Sequence, residues 1–174
     1  IKSGVDIDED FIKSASEAVE ADRKSVAVVL IATAIEHKIN SFFRKVLEYY
    51  FRLSPEETTE AIRSSFHVKL GWLMTLVSGK PLSEELKKKL KVVTDLRNGF
   101  VHYKATLYPI NDLNKSGYDR LLDEVDKIGI QNILELPDIL ENHLTEVEFQ
   151  MEPYFKLAID TYNDINIKKR MSGK

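Results

Sequence analysis

A fixed cation, an amide and an imidazole fall within six residues in the stretch Asp95-Leu96-Arg97-Asn98-Gly99-Phe100-Val101-His102. The guanidinium of Arg97 stays charged at any physiological pH, and its planar donors match pairs of anionic oxygens. The imidazole of His102 titrates near neutrality and can take or give a proton. Asn98 is neutral and can hold an anionic oxygen or orient His102, which lies four residues on, on the same helix face. Asp95 falls on that stripe too and can set the direction of the imidazole. Together these groups can bind an anion and move a proton beside it. No other stretch of the chain gathers as much chemistry.

The remaining residues narrow the choice. With no cysteine, thiolate nucleophiles, disulfides and Cys-based zinc sites are excluded, and the composition fits a reducing compartment such as the cytoplasm. His37, His67 and His143 read as surface or satisfied histidines. No HExxH pair, carboxylate–histidine cluster, glycine-rich phosphate loop or GxSxG elbow occurs, so neither a metal nor a cofactor is expected. The net charge of -3 excludes a globally basic nucleic-acid binder but permits a local basic groove. Lys88, Lys91 and Lys104 stand near the octapeptide and are candidate contacts for a nucleic-acid backbone. A solvated helix face is the alternative for the whole run from Lys87 to Lys91.

The elements that must hold these groups read as helices. A length of 174 residues with 43% hydrophobic residues suits one domain, 1–174, with a real core. Only 7 Gly and 5 Pro favour long regular elements over a turn-rich β fold. Phe11, Ile12, Ala15, Ala18 and Val19 recur at helical spacing over 8–22. The strongest helix runs from Ser25 to about Phe51. Its apolar stretch Val26 to Ile35 is about half a membrane span, so it reads as a buried central helix and not as a signal or membrane segment. Glu36 and Asn40 stand four apart on that helix, between Thr33 and Phe43 on the same stripe. A carboxylate there either faces solvent or has a buried cationic partner.

Ser54-Pro55-Glu56-Glu57 combines a cap, a first-turn proline and a capping box. The helix or helix pair beyond it carries Ile62, Phe66, Leu70, Leu73 and Val77, with Trp72 and Met74 as core or interface residues. Ser78-Gly79-Lys80-Pro81 breaks the chain, and Ser83 caps a helix that runs through the octapeptide to about Lys104. Residues 105–118 read as a loop. Further helices are expected at about 119–128, 138–151 and 153–167, with Pro137 and Pro153 setting starts or kinks. The fold class is all-α: an up-and-down helical bundle with antiparallel neighbours, a core of about 8–104 and a C-terminal helical extension of about 119–167. Because the chain begins at Ile1 and not Met, further residues are expected upstream.

A rival structure exists for the octapeptide. Asn98-Gly99 between alternating residues is a strong hairpin signal, pairing Leu96 with Val101 and Thr94 with Tyr103. Against it, helix signals run into Val92 and Val93 without a breaker, and a lone hairpin is marginal without a sheet to join.

Arg97-Asn98-Gly99-Phe100-Val101-His102 has the form Arg-polar-x-x-x-His near the end of a helix. It resembles the signature of the HEPN superfamily, whose members occur in prokaryotic toxins, phage-defence proteins and RNA-processing enzymes. The segment Ala34-Ile35-Glu36-His37-Lys38-Ile39-Asn40 is similar to the acidic-and-amide helix that precedes the signature helix in many members. The likeness covers about residues 8–104. It implies a homodimer in which two signature helices face each other and line one cleft with their Arg and His residues. The implied activity is a metal-independent endoribonuclease, as in a toxin or phage-defence effector restrained by an antitoxin or other regulatory protein. In that reading His102 transfers protons, Arg97 stabilises the phosphorane, and Asn98, Asp95, Glu36 and Asn40 support them, with Glu36 pairing with Arg97. The chain departs from the simplest members in having about seventy residues after the motif.

Helix geometry gives a separate reason to expect a dimer. Residues five apart diverge by about 140° around an ideal helix. One straight helix therefore cannot aim Arg97 and His102 at one phosphate; either the helix loosens at Gly99 or a second protomer completes the pair. Two other functions stay open. The same cleft in a non-catalytic dimer can bind RNA, a nucleotide or a partner protein. In a plain scaffold, Arg97 is an ion-pair partner of Asp95 or Glu36 and His102 a satisfied helix-end histidine.

Overall fold

The computed structural model describes the backbone of residues 7–103 and 117–172, and the side chains of 7–99, 123–157 and 161. It is all-α, with no strand among the described residues. Helix α1 spans Ile7–Glu20 and α2 spans Lys24–Lys45, continued by a wider π-type turn over Val46–Tyr50. Helix α3 covers Pro55–Ile62. Helix α4 occupies 66–78 and is interrupted by a π-type turn over Lys69–Leu73. Helix α5 runs over Glu84–Tyr103, α6 over Gly117–Ile128, α7 over Ile130–Leu134 and α8 over Leu136–Ser172.

The breaks follow local chemistry. Asp22 takes a positive φ of 56° between α1 and α2, while the Arg23 amide bonds back to the Ala18 carbonyl at 2.7 Å, closing the exposed end of α1. Both halves of the capping box expected at α3 are formed: Ser54 Oγ accepts from the Glu57 amide, and Glu57 accepts from the Ser54 amide. Gly79, at φ 70°, ends α4 in the left-handed conformation that costs glycine least. Ser83 Oγ accepts from the Leu86 amide at the start of α5.

Helix α2 is the centre of the bundle. It packs on α1, α5 and α8, and Ala27, Val28, Ile31, Ala32, Ile35, Ile39, Phe42 and Phe43 are buried along it. The continuous helix Lys24–Tyr50 is long and apolar enough to cross a membrane, but half of its apolar stretch is packed inside the protein. Helix α1 lies antiparallel to it across the short turn at Asp22, with His37 Nδ1 of α2 2.7 Å from Asp8 Oδ1 at the far end.

Helix α5 buries Leu86, Leu90, Val93 and Leu96, an apolar stripe at helical spacing. Fully burying each leucine contributes about 1.5–3 kcal/mol. That stripe decides against the hairpin: a ribbon folded at Asn98-Gly99 would pull Val93 and Leu96 from the core, and among the described residues there is no strand to receive it. Gly99 is instead carried inside the helix, where glycine costs about 1 kcal/mol relative to alanine.

Two expectations for the C-terminal part change. Helices at 138–151 and 153–167 form one element, α8, with Pro153 inside it. Proline deletes one backbone donor and leaves the carbonyl of Phe149 without its helical partner. Both residues are exposed, so water can serve that carbonyl and the helix continues. Not all neighbours are antiparallel, either. Lys38 pairs with Glu141 at 3.0 Å and Lys45 pairs with Glu148. Both partners advance by seven residues in the same direction, so α2 and α8 run parallel in a fixed register. The core side of α8 is the stripe Leu136, Leu140, Leu144, Val147 and Met151. The expected loop at 105–118 lies, apart from its last two residues, outside the described residues.

Candidate functional site around Arg97

Glu36 projects from the middle of α2 and Arg97 from the last third of α5, and the packing of these helices brings the two together. Arg97 Nη1 stands 3.2 Å from Glu36 Oε2 and also donates to Asn98 Oδ1 at 3.1 Å. Among the described residues, both contacts use the same guanidinium nitrogen. Among the described residues the edge formed by Nε and Nη2 has no partner, and such an edge matches a pair of anionic oxygens. The side chain is 35% exposed and Asn98 is exposed. The Asn98 carbonyl oxygen accepts from Arg97, and its Nδ2 has no partner among the described residues.

The carboxylate of Glu36 has a second cation. Lys69, on the π-type turn of α4, is only 3% exposed, and its Nζ lies 3.9 Å from Glu36 Oε1. The same ammonium donates to Asn40 Oδ1 at 2.7 Å. Asn40 and Glu36 are one turn apart on α2, so one lysine reaches both. Burial pushes the Lys69 ammonium below its ordinary value of 10.5, and the negative charge of Glu36 pulls the other way. These three side chains, one carboxylate between two cations, sum to one positive charge, and Arg97 is the more exposed of the two cations.

Lys69 did not stand out in the sequence. The signal for it was indirect: a carboxylate and an amide four apart on an apolar helix need a cationic partner. A lysine flanked by Val68 and Leu70 was available to supply it. Glycine helps deliver it. Gly71 leaves helical geometry at φ -94° and ψ -119°, and the widened turn lets Lys69, Leu70, Leu73 and Met74 all enter the core. Of the two residues expected in the core or at an interface, Met74 is in the core and Trp72 lies on the outer face, 62% exposed.

The remaining candidates sit as follows. Asp95 is half-buried, one turn before Asn98 on α5. The backbone of His102 continues α5, one helical turn past Asn98, but its side chain lies outside the described residues. Lys104 lies outside them altogether. Lys88 and Lys91 are exposed and line an open groove with His67, Glu84 and Lys87 over the buried Leu70. Lys87 and Lys89 are engaged by Glu84 and Glu85 on their own helix. Lys91 is two helical turns from Asn98, on nearly the same face of α5. Among the described residues no group of three or more acidic or histidine side chains is placed to hold a metal ion.

Compared with known proteins, the chain matches no protein-family profile, and neither a curated protein nor a solved structure is significantly similar to it.

Proposed function

We propose that the protein is a HEPN-like, metal-independent endoribonuclease that works as a homodimer in the cytoplasm, as a toxin or phage-defence effector restrained by a partner would. The observation that carries the reading is the state of Arg97. Its guanidinium is held from behind through Nη1, backed by Glu36 and a buried lysine, and offers its other edge to an anion. Plain structural pairing of Arg97 with Glu36 needs neither the third charge nor the open edge. The helix that carries Arg97 also carries the His102 position five residues on.

The reaction follows from RNA's own 2′-hydroxyl. That oxygen attacks the adjacent phosphorus, forming a 2′-O–P bond while the P–O5′ bond breaks. A base takes the 2′ proton and an acid gives one to the departing 5′-oxygen. Imidazole suits both roles, and His102 is assigned proton transfer. The phosphorane gains negative charge as it forms, and Arg97 with the Nδ2 of Asn98 faces that charge. Asp95 is assigned to orient the imidazole. Because residues 97 and 102 diverge around the helix, the arginine of one protomer serves the histidine of the other across a two-fold axis. Lys88 and Lys91 then offer the incoming strand a basic approach.

The test uses a labelled single-stranded RNA. The wild-type chain should produce fragments ending in 2′,3′-cyclic phosphate, in EDTA as well as in Mg²⁺. Arg97→Ala and His102→Ala should each lose cleavage by about a hundredfold or more with helicity unchanged. Full activity in either variant removes the assignment. Binding of the RNA without cleavage by the wild type favours a non-catalytic binding module in the same cleft.

A further inference from the structure

We infer that Lys69 is a positioning residue of the Arg97 site: it fixes Glu36 through a shared contact with Asn40 and restores the positive charge that Glu36 would otherwise cancel. The inference rests on the reading that Arg97 meets a phosphate.

Three observations support it. First, the ammonium is buried, yet it is placed between an amide oxygen and a carboxylate on consecutive turns of α2. Holding a lysine there costs stability, since desolvating an ammonium is unfavourable and an apolar side chain of the same length would pack without that cost. Second, the two oxygens of Glu36 are divided: Oε1 faces Lys69 and Oε2 faces Arg97. A carboxylate anchored on one side has little freedom to turn, and it passes that order on to the guanidinium. Third, the charges matter in sequence. Glu36 and Arg97 alone form a neutral pair, which attracts an anion weakly. With Lys69 the cluster is positive by one charge, and it is Arg97 that reaches the open side.

The consequence falls mainly on the chemical step. A phosphodiester carries one negative charge and the phosphorane formed from it carries two. A positive charge withdrawn from the site therefore costs more in the transition state than in the bound substrate. Lys69 touches neither the substrate nor Arg97 in this account; it acts through Glu36.

The experiment uses Lys69→Met, which keeps the length of the side chain and removes its charge. It is read in two ways, by cleavage kinetics and by the ¹⁵Nε relaxation of Arg97. Lys69→Met should lower kcat about tenfold with KM changed less than about twofold. The Arg97 guanidinium should become more mobile in the same variant. In a Glu36→Gln background the positioning route is cut and only the through-space charge of Lys69 remains, so Lys69→Met should add about a twofold loss and not the full tenfold. Unchanged kcat and an Arg97 signal as rigid as in the wild type would overturn the inference, as would losses that multiply independently in the double variant. If Lys69→Met does not fold, Asn40→Ala takes its place, with a smaller loss in the same two readouts expected and wild-type values overturning the proposal. If the wild-type chain cleaves no RNA, the nuclease reading fails, and the mobility of Arg97 alone decides the role of Lys69.

Discussion

Opposite faces of helix α2 carry two very different sets of charges. On one face, Lys38 and Lys45 meet Glu141 and Glu148 of α8 in two pairs seven residues apart, one cation to one anion each time. On the other, Glu36 alone serves two cations drawn from two other helices. The first set repeats with the helix register, each pair has one well-exposed member (Glu141 and Lys45), and it is neutral. It does what a seam needs: it favours one alignment of α2 against α8. The second does not repeat, buries a lysine and leaves charge over. Bundle packing asks for none of these, and this asymmetry is why the proposed chemistry is assigned to the Arg97 side.

The contrast can be broken experimentally. The largest effect should come from Arg97→Ala, which removes the charge proposed to face the RNA. RNA cleavage should fall by about a hundredfold or more, while Glu148→Ala on the seam leaves it unchanged; a cleavage assay on both variants makes the comparison.

Stability should separate the faces next. Glu36→Ala leaves Lys69 buried with only Asn40 as partner and should cost about 2–3 kcal/mol in urea unfolding. Glu148→Ala releases Lys45, which is 57% exposed and can turn to water, and should cost about 0.5 kcal/mol or less. Equal losses on the two faces would erase the distinction.

The smallest effect is in pH, and its sign differs between the two lysines. Burial holds Lys69 below 10.5 in the folded chain despite the opposing pull of Glu36. Between that lowered value and 10.5 the unfolded chain binds more protons, so the Lys69 contribution makes stability rise with pH across this window. Lys45 is raised above 10.5, first by its hydrogen bond to Glu148 and against a smaller desolvation effect. Its contribution is fully present below 10.5 and is lost as pH climbs through the raised value. Urea midpoints measured from pH 8 upward should show the rise missing in Lys69→Met and the later fall reduced in Lys45→Met.

Much of the framework is written in local pattern. The α3 capping box, the Ser78-Gly79 break and the stripe of α5 are all short-range signals, and each forms as its residues require. That Glu36 either faces solvent or has a cation was legible from its place on an apolar helix; that the cation is Arg97 was implied only by the resemblance of the motif to a known family. Which cation completes the set was not accessible. Lys69 lies 29 residues from Asn40 in sequence, and it enters the core only because the turn at Gly71 widens. Pro153 misled for the opposite reason: a strong local helix breaker was tolerated because the bond it deletes faces solvent. The parallel register of α2 and α8 is a long-range choice that seven-residue spacing permits but does not single out among so many charged positions.

The central claim is that Arg97 of one chain works with His102 of another. Mixing Arg97→Ala chains with His102→Ala chains tests it most directly, since each variant alone should be inactive. Random reassociation makes half the dimers mixed, and each mixed dimer holds one intact site of two. The account predicts that RNA cleavage returns to about a quarter of the wild-type rate. If subunits exchange and the mixture stays as inactive as its components, the two residues do not meet across a shared interface and the account is wrong.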